Sequence, residues 1–177
     1  MIDEDRAAHL ARVRQLREAF ASANERLVAR LRNATDEAAE RHVGNGWTAA
    51  QIGWHVATVS TRFAAMIAGD LSGPQPLPPE FQERAWSQIA AAIPERLQAP
   101  SAMHPPPAVR RTDAVAALEA SGLKMAHAFD ALTLERGAGM GVTNAIVGTI
   151  SVYQLAEWAA AHIARHNKQA KRVLGEG

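Results

Sequence analysis

From Leu10 to Leu31 a row of apolar residues falls three or four apart, through Val13, Leu16, Phe20, Ala23 and Leu27. That spacing predicts one stripe of an α-helix over about Asp3 to Asn33, since a strand would alternate every second residue. The same rhythm returns three times, so the chain has four long amphipathic helices to bury. The second starts at Thr48 and reaches about Ala68, with Ile52, His55, Val56, Val59, Phe63 and Met66 on one face. Its opening, Trp47-Thr48-Ala49-Ala50-Gln51-Ile52, offers Thr48 as cap, Gln51 as reciprocal partner and Trp47 as staple on Ile52. Gly69-Asp70 stops it. The third follows Thr112 along Val115, Leu118, Gly122, Met125, Phe129 and Leu132, and Gly137, Gly139 and Gly141 end it. Gly122 on that stripe predicts a close approach between helices. The fourth repeats the start signal in Ile150-Ser151-Val152-Tyr153-Gln154-Leu155, runs to about Leu174 and stops on Gly175.

Residues 70–111 hold all nine prolines: Pro74, Pro76, Pro78, Pro79, Pro94, Pro100 and Pro105 to Pro107. One short helix fits between Pro79 and Ile93, carrying Phe81, Trp86 and Ile89. The rest is an irregular crossover, because proline lacks the amide that continues a helix. No strand pattern stands out. Four long helices and one long crossover give an all-α four-helix bundle, and 177 residues suit a single domain over 1–177.

No apolar run approaches the roughly 18 residues that a membrane helix needs. The opening MIDEDRAAHL is acidic and then amphipathic, unlike a signal peptide, so we expect a soluble, cytoplasmic protein. There is no cysteine, which removes disulfides, thiolate ligands and a cysteine nucleophile together. The net charge of +1 gives no footprint for nucleic acid. Lys168, Lys171 and Arg172 complement the dipole at the end of the last helix.

Three of the seven histidines stand where apolar residues belong. On the fourth helix the inward face reads Leu155, Ala159, His162, His166, Gln169 or Ala170, and Val173. His162 and His166 lie one turn apart, with Cβ atoms about 5–6 Å from each other. His55 falls between Ile52 and Val59 on the core face of the second helix. A single buried histidine is ordinarily satisfied by a hydrogen bond, but three on facing stripes suit one divalent metal ion. His127 points away from its stripe, His104 lies in the crossover, His42 in the loop before the second helix and His9 at the start of the first. Those four read as structural or solvated.

Gly46-Trp47-Thr48 followed by His55, with His162, His166 and Gln169 in the run His-Ile-Ala-Arg-His-Asn-Lys-Gln, resembles the DinB/YfiT-like superfamily. The resemblance follows element order along the whole chain and is sharp in these two stretches. It implies a four-helix bundle, often dimeric, with a divalent metal on three histidines. Some relatives transfer low-molecular-weight thiols or use one as cofactor, as in mycothiol-dependent maleylpyruvate isomerase. The proline-rich crossover is not a diagnostic feature of that family.

Three neutral imidazoles leave at least one coordination position open, as in catalytic sites. The ligand set suits zinc, nickel, iron or copper alike. The open position would take water or a substrate thiol. Trp158, Phe63 and Met66 are candidates to wall a pocket, with core packing as the simpler role for all three. Gln51 and Gln169, each one turn from a ligand, are candidates to orient the rings, although Gln51 already has a capping role. No general base is identifiable; Glu157 sits beside the stripe. Two function classes follow: a metal-dependent transferase, with thiol transfer favoured by the resemblance and hydrolysis as the alternative, or a non-catalytic metal- or ligand-binding bundle. An Ala-rich bundle with few large side chains and Gly122 on a core stripe, together with the resemblance, points to a homodimer.

Overall fold

In the computed structural model, which describes residues 2–94, 97 and 99–176, both helix start signals form closed capping boxes. Thr48 Oγ1 accepts the Gln51 amide at 3.1 Å while Gln51 Oε1 accepts the Thr48 amide at 2.9 Å. Ser151 and Gln154 make the same exchange. They open α3 (Ala49–Ala68) and α7 (Val152–Val173). With α1 (Ile2–Asn33) and α5 (Arg111–Ala131) these form a four-helix bundle, α1 packing on α7 and α5, and α3 on α5 and α7. Between them lie the short α2 (Asp36–Glu40), α4 (Trp86–Ala92) and α6 (Leu134–Gly139). Among the described residues no helix is long and apolar enough to cross a membrane.

Pairings along the helices give their directions. His9 meets Tyr153 and Arg30 meets Asn167, so α1 and α7 are parallel. Gly53 faces Ala114 and Leu118 near the start of both α3 and α5, so these two are parallel as well. Two parallel helices consecutive in the bundle oblige the chain to travel back their full length, and this is the work of the proline-rich crossover. A Cβ on Gly53 would lie 2.6 Å from Leu31 Cδ1 and 3.3 Å from Ala114 Cβ, so this glycine sets how closely α1, α3 and α5 approach. The expected approach at Gly122 is present too. A Cβ there would come within 2.8 Å of Asn24 Nδ2, the donor to Leu118 O.

Several expectations need correction. Leu10 is 57 % exposed, and His9 beside it is the residue turned inward. On α3 the buried face continues through Ala64 and Ile67, leaving Phe63 and Met66 half-buried. α5 starts at Arg111 and ends at Ala131 rather than at the glycines, because Leu132 is extended and Thr133 caps α6. α4 starts at Trp86, leaving Phe81 outside it. Strands, which were not expected, occur as a small antiparallel sheet: β1 (Gln75–Pro76), β2 (Met140–Asn144) and β3 (Gly148–Ser151), in that order. The β2–β3 hairpin turns on Asn144 Oδ1, which accepts the Ile146 amide, and on left-handed Gly148. It delivers Ser151 to the start of α7.

Candidate metal centre

His55 sits on the second turn of α3, directly below Gln51, and His162 and His166 sit one turn apart on α7. Because α3 and α7 run antiparallel, the start of one meets the later half of the other. The three rings converge: centroids are 5.2 Å apart for His55–His162, 4.9 Å for His55–His166 and 4.4 Å for His162–His166. One donor nitrogen from each lies within 4.8 Å of the others, and no carboxylate belongs to the group.

Hydrogen bonds decide which nitrogen of each ring is available. His55 Nδ1 is 2.8 Å from the Met103 carbonyl, which only accepts, so Nδ1 carries the proton and Nε2 keeps its lone pair. His166 Nδ1 donates in the same way to Gln169 Oε1 at 2.8 Å. His162 is different. Its Nδ1 is buried and has no hydrogen-bond partner. A buried nitrogen in that state costs free energy of about 1–3 kcal/mol unless something fills its need.

All three rings are driven toward the neutral form. His162 is held well below the ordinary imidazole range, first by burial and then by His166 and His55. His166 is pushed down to about 4, again by burial first and then by His55. Burial lowers His55 as well, against the opposing effect of its bond to Met103. Neutral imidazoles with free lone pairs are the form that metal ions bind. The donor set and the orphaned nitrogen therefore fit a divalent ion, and the three-histidine group could hold one.

Around the rings lie aromatic side chains. Trp47 packs 4.9 Å from His55, and Phe63 stands edge-on to His162 at 6.4 Å and packs on Trp158 at 6.1 Å. Met66 packs against Gly73. Gln169 bonds to the His166 ring, within the reach its spacing offers. Gln51 makes no direct bond to any of the three rings: its Nε2 donates to the carbonyls of Pro106 and Pro107. The partner of His55 is instead a backbone carbonyl in the crossover, which no residue type could have signalled. Glu157 faces α1 and pairs with Arg12 at 3.2 Å, while burial raises its carboxyl above the usual range. His127 is exposed, and His42 bonds to Gly46 O. His104 bonds to Ala99 O but also packs on Trp47 at 5.9 Å, which places it beside the centre without joining it.

The family model of the DinB superfamily matches residues 19–170, a span that includes Trp47, the three histidines and Gln169. No curated protein matches the chain. The chain belongs to the DinB superfamily.

Proposed function

We propose that this DinB-superfamily chain is a metal-dependent enzyme in which His55, His162 and His166 hold one divalent ion, and that it transfers a low-molecular-weight thiol to an electrophile. The observation that supports it most is the buried, unpartnered His162 Nδ1 among three rings that burial keeps neutral. A divalent ion bound there would lower the pKa of a thiol or water reaching its open position. The chain's own residues prepare the centre. Met103 and Gln169 fix two rings with Nε2 unprotonated, Trp47 packs on His55, and Phe63, backed by Trp158, packs on His162. Thiol chemistry is favoured because the chain has no cysteine of its own and because of its resemblance to thiol-using relatives.

Metal-loaded protein given an electrophilic probe should turn over only when a low-molecular-weight thiol is added. Turnover that is equally fast without thiol, and lost with the metal, would replace transferase by hydrolase. Metal uptake with no turnover across a panel of thiols and electrophiles would favour a binding protein. We also propose a homodimer, on the resemblance and on the exposed Leu10 and Leu123 of α1 and α5. Gly122 no longer supports it, since Asn24 takes up that space. Light scattering should give the dimer mass, and a monomer at micromolar concentration would remove the idea.

A further inference from the structure

We infer that Gln51 is a positioning residue of the three-histidine centre, clamping the crossover so that the Met103 carbonyl holds His55 by its Nδ1. The inference rests on the reading of that centre as a metal site, and it concerns the path by which His55 is aimed.

Gln51 and His55 lie one turn apart on the same face of α3, and the crossover passes over both. Gln51 Nε2 donates to Pro106 O at 2.9 Å and to Pro107 O at 3.0 Å. Its Oε1 accepts the Thr48 amide, so all three bonds of the amide are used, with an orientation forced by the partners. Just upstream, Ser101–Met103 forms a 3₁₀ turn closed by Met103 N–H to Pro100 O at 2.8 Å and His104 N–H to Ser101 O at 3.0 Å. That turn aims the Met103 carbonyl at His55. Trp47 fills the space between the His55 and His104 rings. Gln51 thus ties this stretch to α3 one turn before the bond that His55 itself makes to it.

Residue chemistry separates this role from capping. A capping box needs only an acceptor at this position, which glutamate supplies as well as glutamine. Two carbonyls need donors, and only the amide offers both. The other box provides a matched control. Gln154 caps α7 in the same way, and its Nε2 also grips the crossover, at Arg84 O, 2.7 Å away. The hydrogen bonds of the three histidines lie elsewhere, so this second grip has no route to them.

The test uses the full chain. In metal-free wild type at about pH 8, where imidazoles are neutral, nitrogen–proton imidazole spectra should show His55 as the Nδ1–H tautomer. Gln51→Glu keeps the cap and loses both donors, and His55 should become a mixture of tautomers. Gln154→Glu should leave His55 unchanged. For affinity, Gln51→Met and Gln154→Met each lose the side-chain cap bond and the grip on the crossover, two carbonyls for Gln51 and one for Gln154, without adding charge. By competition with a zinc chelator, only the first should weaken zinc binding, by about tenfold or more. A Gln51→Glu protein whose His55 stays wholly Nδ1–H would overturn the inference, as would equal zinc affinities for the two Met variants. If wild type takes up no zinc, nickel, iron or copper, the metal reading falls, while a tautomer change in Gln51→Glu still upholds the positioning of His55.

Discussion

Two clusters of buried polar groups sit on α7, and they are built on opposite principles. Near its start, Tyr153 is 3 % exposed, yet its hydroxyl meets His9 Nδ1 at 2.5 Å and the Arg12 guanidinium stacks on its ring at 4.3 Å. Arg12 also pairs with Glu83 and Glu157, and Glu83 accepts the Ser151 hydroxyl. Donors, acceptors and charges of both signs answer one another there. Further along the same helix, His162 and His166 join His55 with no carboxylate in their group and one nitrogen left without a partner. The first cluster completes itself and ties α1, α6, α7 and the crossover together. The second brings three neutral rings together with one nitrogen unanswered, a group that could hold a metal ion. The family match covers all three histidines and begins after His9 and Arg12. Asn24 Oδ1 and Ser60 Oγ are also buried without a partner, so what sets the histidine cluster apart is an unanswered nitrogen among three converging rings.

The sharpest way to break this contrast is to remove each cluster and measure metal. Changing His55, His162 and His166 together to Ala should take bound divalent metal from about one ion per chain to none. Arg12→Ala should leave metal content intact. Retained stoichiometric metal in the triple variant would end the assignment.

Acid should distinguish the clusters next. An unfolded histidine titrates near 6.5 and folded His166 near 4, so between these values the unfolded chain binds the extra proton. Metal-free stability should therefore be full above about pH 6.5 and fall as pH drops toward 4, by about 3 kcal/mol from His166 alone. Denaturant titrations at several pH values should show this slope in wild type and a much flatter one in the triple variant. An equal slope in both would mean that the histidines are not buried neutral.

Smaller effects belong to the self-complete cluster. A Cβ at Gly137 would lie 2.3 Å from Tyr153 Cζ, so Gly137→Ala must displace the ring and should cost about 2 kcal/mol, with metal uptake unchanged. Arg12→Ala leaves two part-buried carboxylates facing each other and should cost about 1 kcal/mol. Urea midpoints would check both, and a fall in metal content with either would show that the clusters are coupled. Least of all, His127→Ala should change neither stability nor metal.

The helices and both capping boxes were legible because period and cap chemistry are local properties of the chain. His162 and His166 were legible through their four-residue spacing, His55 through its place between Ile52 and Val59, and Gln169 through its distance from His166. Met103 was not, because it acts through a carbonyl that every residue possesses. The hairpin was hidden by its brevity and by Gly141, which reads equally well as a helix terminator. At the start of α1 the three-or-four spacing pointed to Leu10. The nearby Tyr153 turned His9 inward instead, a preference set by a partner far away in sequence.

The topology also fixes when the centre comes into being. His55 precedes the crossover and the whole of α5, and its two companions arrive only with the last helix. A chain leaving the ribosome N-terminus first has no three-nitrogen set to offer until α7 has emerged and docked. Earlier fragments carry single imidazoles, which bind metal weakly and without geometry. In a zinc finger the ion gathers a short chain around itself; an ion held on these three histidines would instead meet a bundle whose folding is nearly finished, and a folded metal-free chain would precede the loaded one.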